Sequence, residues 1–164
     1  SAVSSEHMNI EAEAVVFEEQ NDLIKAFKND ELNKDFIAVF PFQGPKYNGM
    51  PELHKLTPTL TILQKRGFKV GLITDGRMSG ASGKIPAAIH VVREAKDGGL
   101  ISKIQTGDRI LMNAITGELK TLDTDVVNRT SRKKDNTNVF GLGKELFFNM
   151  RKQVSSSEEG ASFL

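Results

Sequence analysis

The stretch "GFKVGLITDGRMSGASGKIP", Gly67–Pro86, decides the architecture. Its first part, Phe68–Thr74, is an apolar run bounded by a glycine and an aspartate, as a strand covered on both faces requires. The character then reverses into a loop holding Asp75, Gly76, Arg77, Ser79, Gly80, Ser82, Gly83 and Lys84. In open α/β sheets ligands bind just beyond the carboxyl ends of the strands. The same stretch therefore predicts a sheet class and the place to look for a site.

Working outward, "IEAEAVVF" (Ile10–Phe17) alternates Ile10, Ala12, Ala14 and Val16 against Glu11 and Glu13, the period of a half-buried strand. "NDLIKAFKN" brings Leu23, Ile24 and Phe27 together at helical spacing. "FIAVFPF" (Phe36–Phe42) reads as a second strand covered on both faces, which Pro41 must end or place at an edge. After the loop "QGPKYNG", "MPELHKLTPTLTILQKRG" predicts a helix with Pro51 near its first turn, a stripe of Leu53, Leu56, Leu60 and Leu63, a kink at Pro58 and a stop at Gly67. Strands alternating with helices in this way predict a partly parallel sheet.

Beyond Val92 the pattern changes. Gly98–Leu122 carries short alternating segments split by "GG", "TGD" and "ITG", which predicts antiparallel hairpins. "DTDVVNRTSRKKDNTN" reads as a frayed helix running into a linker. "GKELFFNMRKQV" places Leu146, Phe147 and Met150 at helical spacing, and residues 153–164 read as a flexible tail. No internal repeat is visible.

With 164 residues the chain is long enough for one domain with a sizeable core. It has no cysteine, so its own side chains supply no disulfide, no thiolate zinc site and no ligand to an iron–sulfur cluster. Lys and Arg number 22 against 21 for Asp and Glu, which gives no global pull toward nucleic acid or an anionic membrane. Aromatics at 7% argue against stacking platforms for single strands. No apolar run reaches the length of a spanning helix, and a cytoplasmic location is the expectation.

The loop fails two motif tests. A P-loop needs glycine where Met78 stands and Ser or Thr where Ile85 follows Lys84; Gly76, Gly80 and Gly83 are wrongly spaced for a dinucleotide fingerprint. What remains is an anion cradle built from N–H groups, with Arg77 and Lys84 as charges and Ser79 and Ser82 as hydroxyls, or else a solvated turn. Glu52, placed in the first turn of the expected helix, either complements the helix end or ligates Mg²⁺. His54 and His90 have no third histidine near them in sequence, which argues against zinc.

Three segments, "GPKYNGMPELHKLTP", "GFKVGLITDGRMSGASGKIPAAIHV" and "GGLISKIQTGDRI", closely resemble the C-terminal part of the dihydroxy-acid and 6-phosphogluconate dehydratase family, and their wording is most similar to its 6-phosphogluconate branch. The resemblance covers nearly the whole chain, residues 1–164. It implies a swivelling β/β/α domain of the α/β class, with a barrel-like mixed sheet and flanking helices. It also implies a hydro-lyase that removes water from 6-phospho-D-gluconate to give 2-dehydro-3-deoxy-6-phosphogluconate, the Entner–Doudoroff step.

Family members use a 4Fe-4S cluster on the departing C3 hydroxyl and a divalent cation, usually Mg²⁺, on the substrate carboxylate. By resemblance Ser79 is the base for the C2 proton and Glu52 a metal ligand. Thr74 and Asp75 are expected among the substrate-binding residues and to fix the loop by hydrogen bonds. Arg77, Gly80, Ser82 and Lys84 are candidates for substrate contacts, each equally readable as a turn residue. The family's cluster cysteines lie in an N-terminal domain that this sequence lacks, so a C-terminal fragment, inactive alone and dimeric when joined to that domain, is implied. Another sugar-acid or dihydroxy-acid dehydratase, or a stand-alone anion-binding module, is the alternative.

Overall fold

The structure is a computed structural model that describes residues 3–79, 83–134, 141, 143 and 145–163. Its centre is a six-stranded mixed sheet built from β1 (Asn9–Val16), β2 (Phe36–Phe40), β3 (Val70–Thr74), β4 (Ala87–Ala88), β5 (Arg109–Asn113) and β6 (Glu118–Thr121). The spatial order is β4-β3-β2-β1-β5-β6. β1 through β4 run parallel, while β5 pairs antiparallel with both β1 and β6. The sheet curls into a half-barrel flanked by helices, in keeping with the mixed α/β class expected from the sequence.

The period of two divides the apolar residues into two cores. On β2, Ile37 and Val39 join Ile10, Ala12, Ala14, Ile73, Ile110 and Met112 on one face. Phe36, Ala38 and Phe40 join Val70, Leu72, Leu23, Leu60 and Leu63 on the other. The second face is covered by α1 (Gln20–Lys28) and α3 (Leu56–Lys65). Both central strands are buried along their whole length, which is why they read as unbroken apolar runs. β1 keeps its alternation because Glu11 and Glu13 stay at the surface, ion-paired to Arg109 and Lys34.

Three expectations require correction. The helix expected from Met50 begins only at Leu56, with Pro58 in its first turn and no interruption. A start at Met50 would bury Pro58 mid-helix, where its ring clashes with the carbonyl of His54; in the first turn the missing N–H costs no bond. Glu52 is consequently outside the helix and forms an isolated parallel bridge with Arg77. Second, Gly98–Leu122 yields one hairpin, β5–β6. Its first part instead folds into a 3-10 turn at Leu100–Ser102, just after another at Ala95–Asp97, tied by Gly99 N–H to Glu94 O at 2.9 Å and Ser102 N–H to Gly99 O at 2.9 Å.

Third, the helix expected at Asp123 is a single 3-10 turn, Val126–Asn128. Arg129 then clamps the chain by a two-pronged contact to Asp108 at 2.6 and 2.9 Å. That pairing draws the backbone out of helical geometry and toward the turn before β5. A short four-residue helix, α2 (Pro45–Asn48), follows β2, and α4 (Phe148–Gln153) lies near the C-terminus and packs against it. Beyond α4, Ser155 N–H donates to Ser162 O at 2.7 Å, folding the expected tail back on itself.

Candidate functional site

The site begins at the carboxyl ends of β2 and β3, where two buried polar side chains set the loops. Thr74 Oγ1 donates to Phe40 O at 2.8 Å and accepts Gly76 N–H at 2.9 Å. The Asp75 carboxylate, fully buried, accepts the N–H groups of Phe42 (3.2 Å), Gln43 (2.8 Å) and Ala95 (2.9 Å). Burial pushes its carboxyl above the usual range, while the N–H donors pull it back. Two other chain segments, at Phe42–Gln43 and at Ala95, therefore converge on one acid. Phe42, the residue after Pro41, is held at φ 63°, a region rare for a bulky side chain, which the contact to Asp75 helps to impose.

Above this base the two loops singled out in the sequence meet edge to edge. Glu52 bridges Arg77 through backbone pairing. Arg77 Nε donates to Met50 O at 2.8 Å, Glu52 Oε1 accepts Ser79 N–H at 2.7 Å, and Arg77 Nη1 stands 3.6 Å from Glu52 Oε2. Gly76 makes the approach possible: a Cβ there would lie 2.6 Å from Gln43 Cβ and 2.8 Å from Gln43 O. Its role is close contact and not a positive φ.

Glu52, Arg77 and Ser79 are thus brought together at the surface. Glu52 and Ser79 line an open depression of about 750 Å³ whose other walls come from α3 and the turn before it, including His54, Thr57 and Lys65. Lys84 is exposed at the far end of the loop, where its carbonyl accepts Gln64 Nε2 at 3.2 Å. Thr74 and Asp75, in contrast, are wholly enclosed, so their polar atoms serve the loops. Gly80 and Ser82 lie outside the described residues.

Two residues of the site had no motif to announce them. Gln43 is buried and donates to Glu18 O and Pro41 O while accepting Asn48 Nδ2 at 3.0 Å, which fixes the loop after β2. Glu94, 1% exposed, reaches beneath the same loop: its Oε2 accepts Lys46 N–H at 3.2 Å, and its Oε1 has no partner among the described residues. Burial, reinforced by Asp75 and Asp97, pushes Glu94 up to about 7. The only sequence signal for either was a polar residue beside an apolar turn.

Fold and rim together define a mixed α/β domain that presents a serine and a carboxylate at the ends of parallel strands. The chain belongs to the dihydroxy-acid/6-phosphogluconate dehydratase C-terminal family, whose profile matches residues 1–161. It is 52% identical over 163 residues to a phosphogluconate dehydratase of Pseudomonas aeruginosa, covering 98% of this chain and 27% of that protein. Against the phosphogluconate dehydratase of Escherichia coli K12 it is 50% identical over 165 residues, 99% of this chain and 27% of the relative. A dihydroxy-acid dehydratase of Methanosphaera stadtmanae is 35% identical over 150 residues, 89% of this chain and 26% of that protein. The chain spans about a quarter of the length of the curated relatives it matches.

Proposed function

We propose that this chain is the C-terminal part of a hydro-lyase acting on 6-phospho-D-gluconate, and that it supplies the proton-abstracting wall of the active site. The observation that carries the reading is the Glu52–Ser79 junction: one carboxylate oxygen fixes the Ser79 amide at 2.7 Å on the rim where the parallel strands end. The phosphogluconate dehydratases at about half identity support the substrate.

Dehydration breaks the C2–H and C3–O bonds, leaves a C2=C3 enol and water, and ends with the enol's tautomerisation to the 2-keto acid. Ser79 Oγ takes the C2 proton. A serine hydroxyl is a weak base unless its alkoxide is stabilised, and Arg77, held beside it by Met50 O and Glu52, provides positive charge on the same rim. Thr74 and Asp75 act as positioning residues, since they hold the loop from below. Arg77 and Lys84 are the cationic contacts for the acid substrate, with Gly80 and Ser82 on the intervening loop.

A divalent cation such as Mg²⁺ would supply charge to a substrate carboxylate and acidify the adjacent C–H. Glu52 fits as one of its ligands, because each of its oxygens keeps a further lone pair after the contacts to Ser79 and Arg77. No cluster of three acidic or histidine side chains surrounds Glu52 among the described residues. The family's 4Fe-4S cluster does not fit this chain, which has no thiolate to offer. An N-terminal domain bearing cysteines is the required partner, with a homodimer as the working assembly.

The test is to join the chain to that cysteine-bearing region, reconstitute it without oxygen, and measure 2-keto acid from 6-phosphogluconate, gluconate and a branched dihydroxy acid. Preference for the phosphorylated acid supports the proposal. Preference for the dihydroxy acid supports the second reading, which the 35% identical dihydroxy-acid dehydratase favours. Turnover by the 164-residue chain alone contradicts the incomplete wall.

A further inference from the structure

On the sheet face opposite α1 and α3, a recess of about 280 Å³ lies behind the loop after β2. Its floor includes Phe42, and its walls carry Lys96, Ser131, Arg132, Lys133 and Lys134. In a chain whose charges nearly cancel, four cations and no acid line this one concavity among the described residues. We propose that this pocket binds a phosphomonoester dianion, with Arg132, Lys133 and Lys96 as its charged contacts and Ser131 as a neutral donor.

The cations differ in what already occupies them. Lys134 is committed: its Nζ pairs with Glu18 at 3.0 Å and lies 5.9 Å over the Tyr47 ring. Lys96 and Lys133 are exposed and have no ion-pair partner among the described residues. Arg132 is the anchor. Its Nε donates to Ser102 O at 3.0 Å, which fixes the plane of the guanidinium, while Nη2 is sheltered from solvent and finds no acceptor among the described residues. A sheltered cationic donor without an acceptor is costly, and burial pulls the group's pKa down accordingly. A phosphate oxygen would satisfy it, and a planar fork suits a tetrahedral dianion better than a point charge does.

The pocket is also mechanically joined to the rim. Phe42 and Ala95, both in its lining, donate their N–H groups to the same Oδ2 of Asp75, four residues before Ser79. Assignment of the bound group to the phosphate of the sugar-acid substrate rests on the hydro-lyase reading; affinity of the pocket for phosphate does not.

The experiment has two arms. The 164-residue chain is titrated with inorganic phosphate and with 6-phosphogluconate while the amide resonances of Lys96, Gly98 and Ser131–Lys134 are followed. Saturable shifts at these residues, weakened about tenfold by Arg132→Gln and by a smaller factor in Lys133→Ala, support the proposal; tenfold corresponds to one charge-assisted hydrogen bond. Lys133 is exposed, so its variant remains informative where Arg132→Gln lowers the melting temperature. Absence of shifts with either probe, or shifts unchanged in both variants, overturns it.

In the reconstituted enzyme, a raised KM for 6-phosphogluconate with kcat and the gluconate KM unmoved identifies the substrate as the source of the phosphate. An unchanged KM alongside lost phosphate binding assigns another phosphorylated metabolite. Failure of all turnover removes the hydro-lyase reading and leaves the first arm standing.

Discussion

At the scale of single residues, Asp75 is the buried acid on which the site depends. Three N–H groups point at its carboxylate, and Asp75→Ala would leave them unpaired in a dry environment. The expected cost is about 3–5 kcal/mol, read as a fall in melting temperature, since each unsatisfied donor costs about 1–3 kcal/mol and partial relaxation recovers some of it. Glu94 makes a second prediction through pH. Its folded pKa of about 7 stands above the ordinary 4.5, so the folded state holds a proton that the unfolded state releases first. Stability is therefore full below pH 4.5, falls as pH rises toward about 7, and levels off above it. Glu94→Gln keeps a neutral acceptor for Lys46 N–H and is expected to flatten that decline, which melting curves across the window would show. A decline of the same slope in the variant would place its origin elsewhere, Asp75 being the next acid with a raised pKa.

At the scale of elements, the path of the chain between β2 and β3 brings the two loops together. Pro58 in the first turn of α3 predicts that Pro58→Ala changes stability by no more than about 1 kcal/mol, whereas a mid-helix proline would be relieved by about 3 kcal/mol. Gly76→Ala is expected to cost about 1–3 kcal/mol, because its Cβ meets Gln43 at 2.6 Å and the loops must part. Both are measurable by denaturant unfolding. The central strands were legible because a strand covered on both faces leaves an unbroken apolar run, and β1 was legible because Glu11 and Glu13 mark its outer side. The start of α3 was not, because Leu53 is buried in either geometry and only tertiary contact with Arg77 pulls Glu52 into a bridge. Thr74 and Asp75 were legible as site residues, while their inward aim depended on partners more than 30 residues away in Phe40, Phe42 and Gln43. The turn at Leu100–Ser102 was not legible because the glycines and alternation from Gly98 onward suit a hairpin locally, and the backbone bonds to Glu94 and Gly99 that decide otherwise are not a sequence pattern.

At the scale of the whole molecule, the domain has two cores on the two faces of one sheet, and its candidate chemistry is confined to one end of the parallel strands. The rim brings together a serine, a carboxylate and an arginine. The most direct measurement compares wild type with Ser79→Ala in the reconstituted, cluster-matched protein, following 2-keto acid formed from 6-phosphogluconate. The expected result is a fall of about 10²–10⁴-fold in kcat with little change in KM, the loss typical of a removed proton acceptor. Wild-type kcat in Ser79→Ala would contradict it and return the serine to the role of a turn residue.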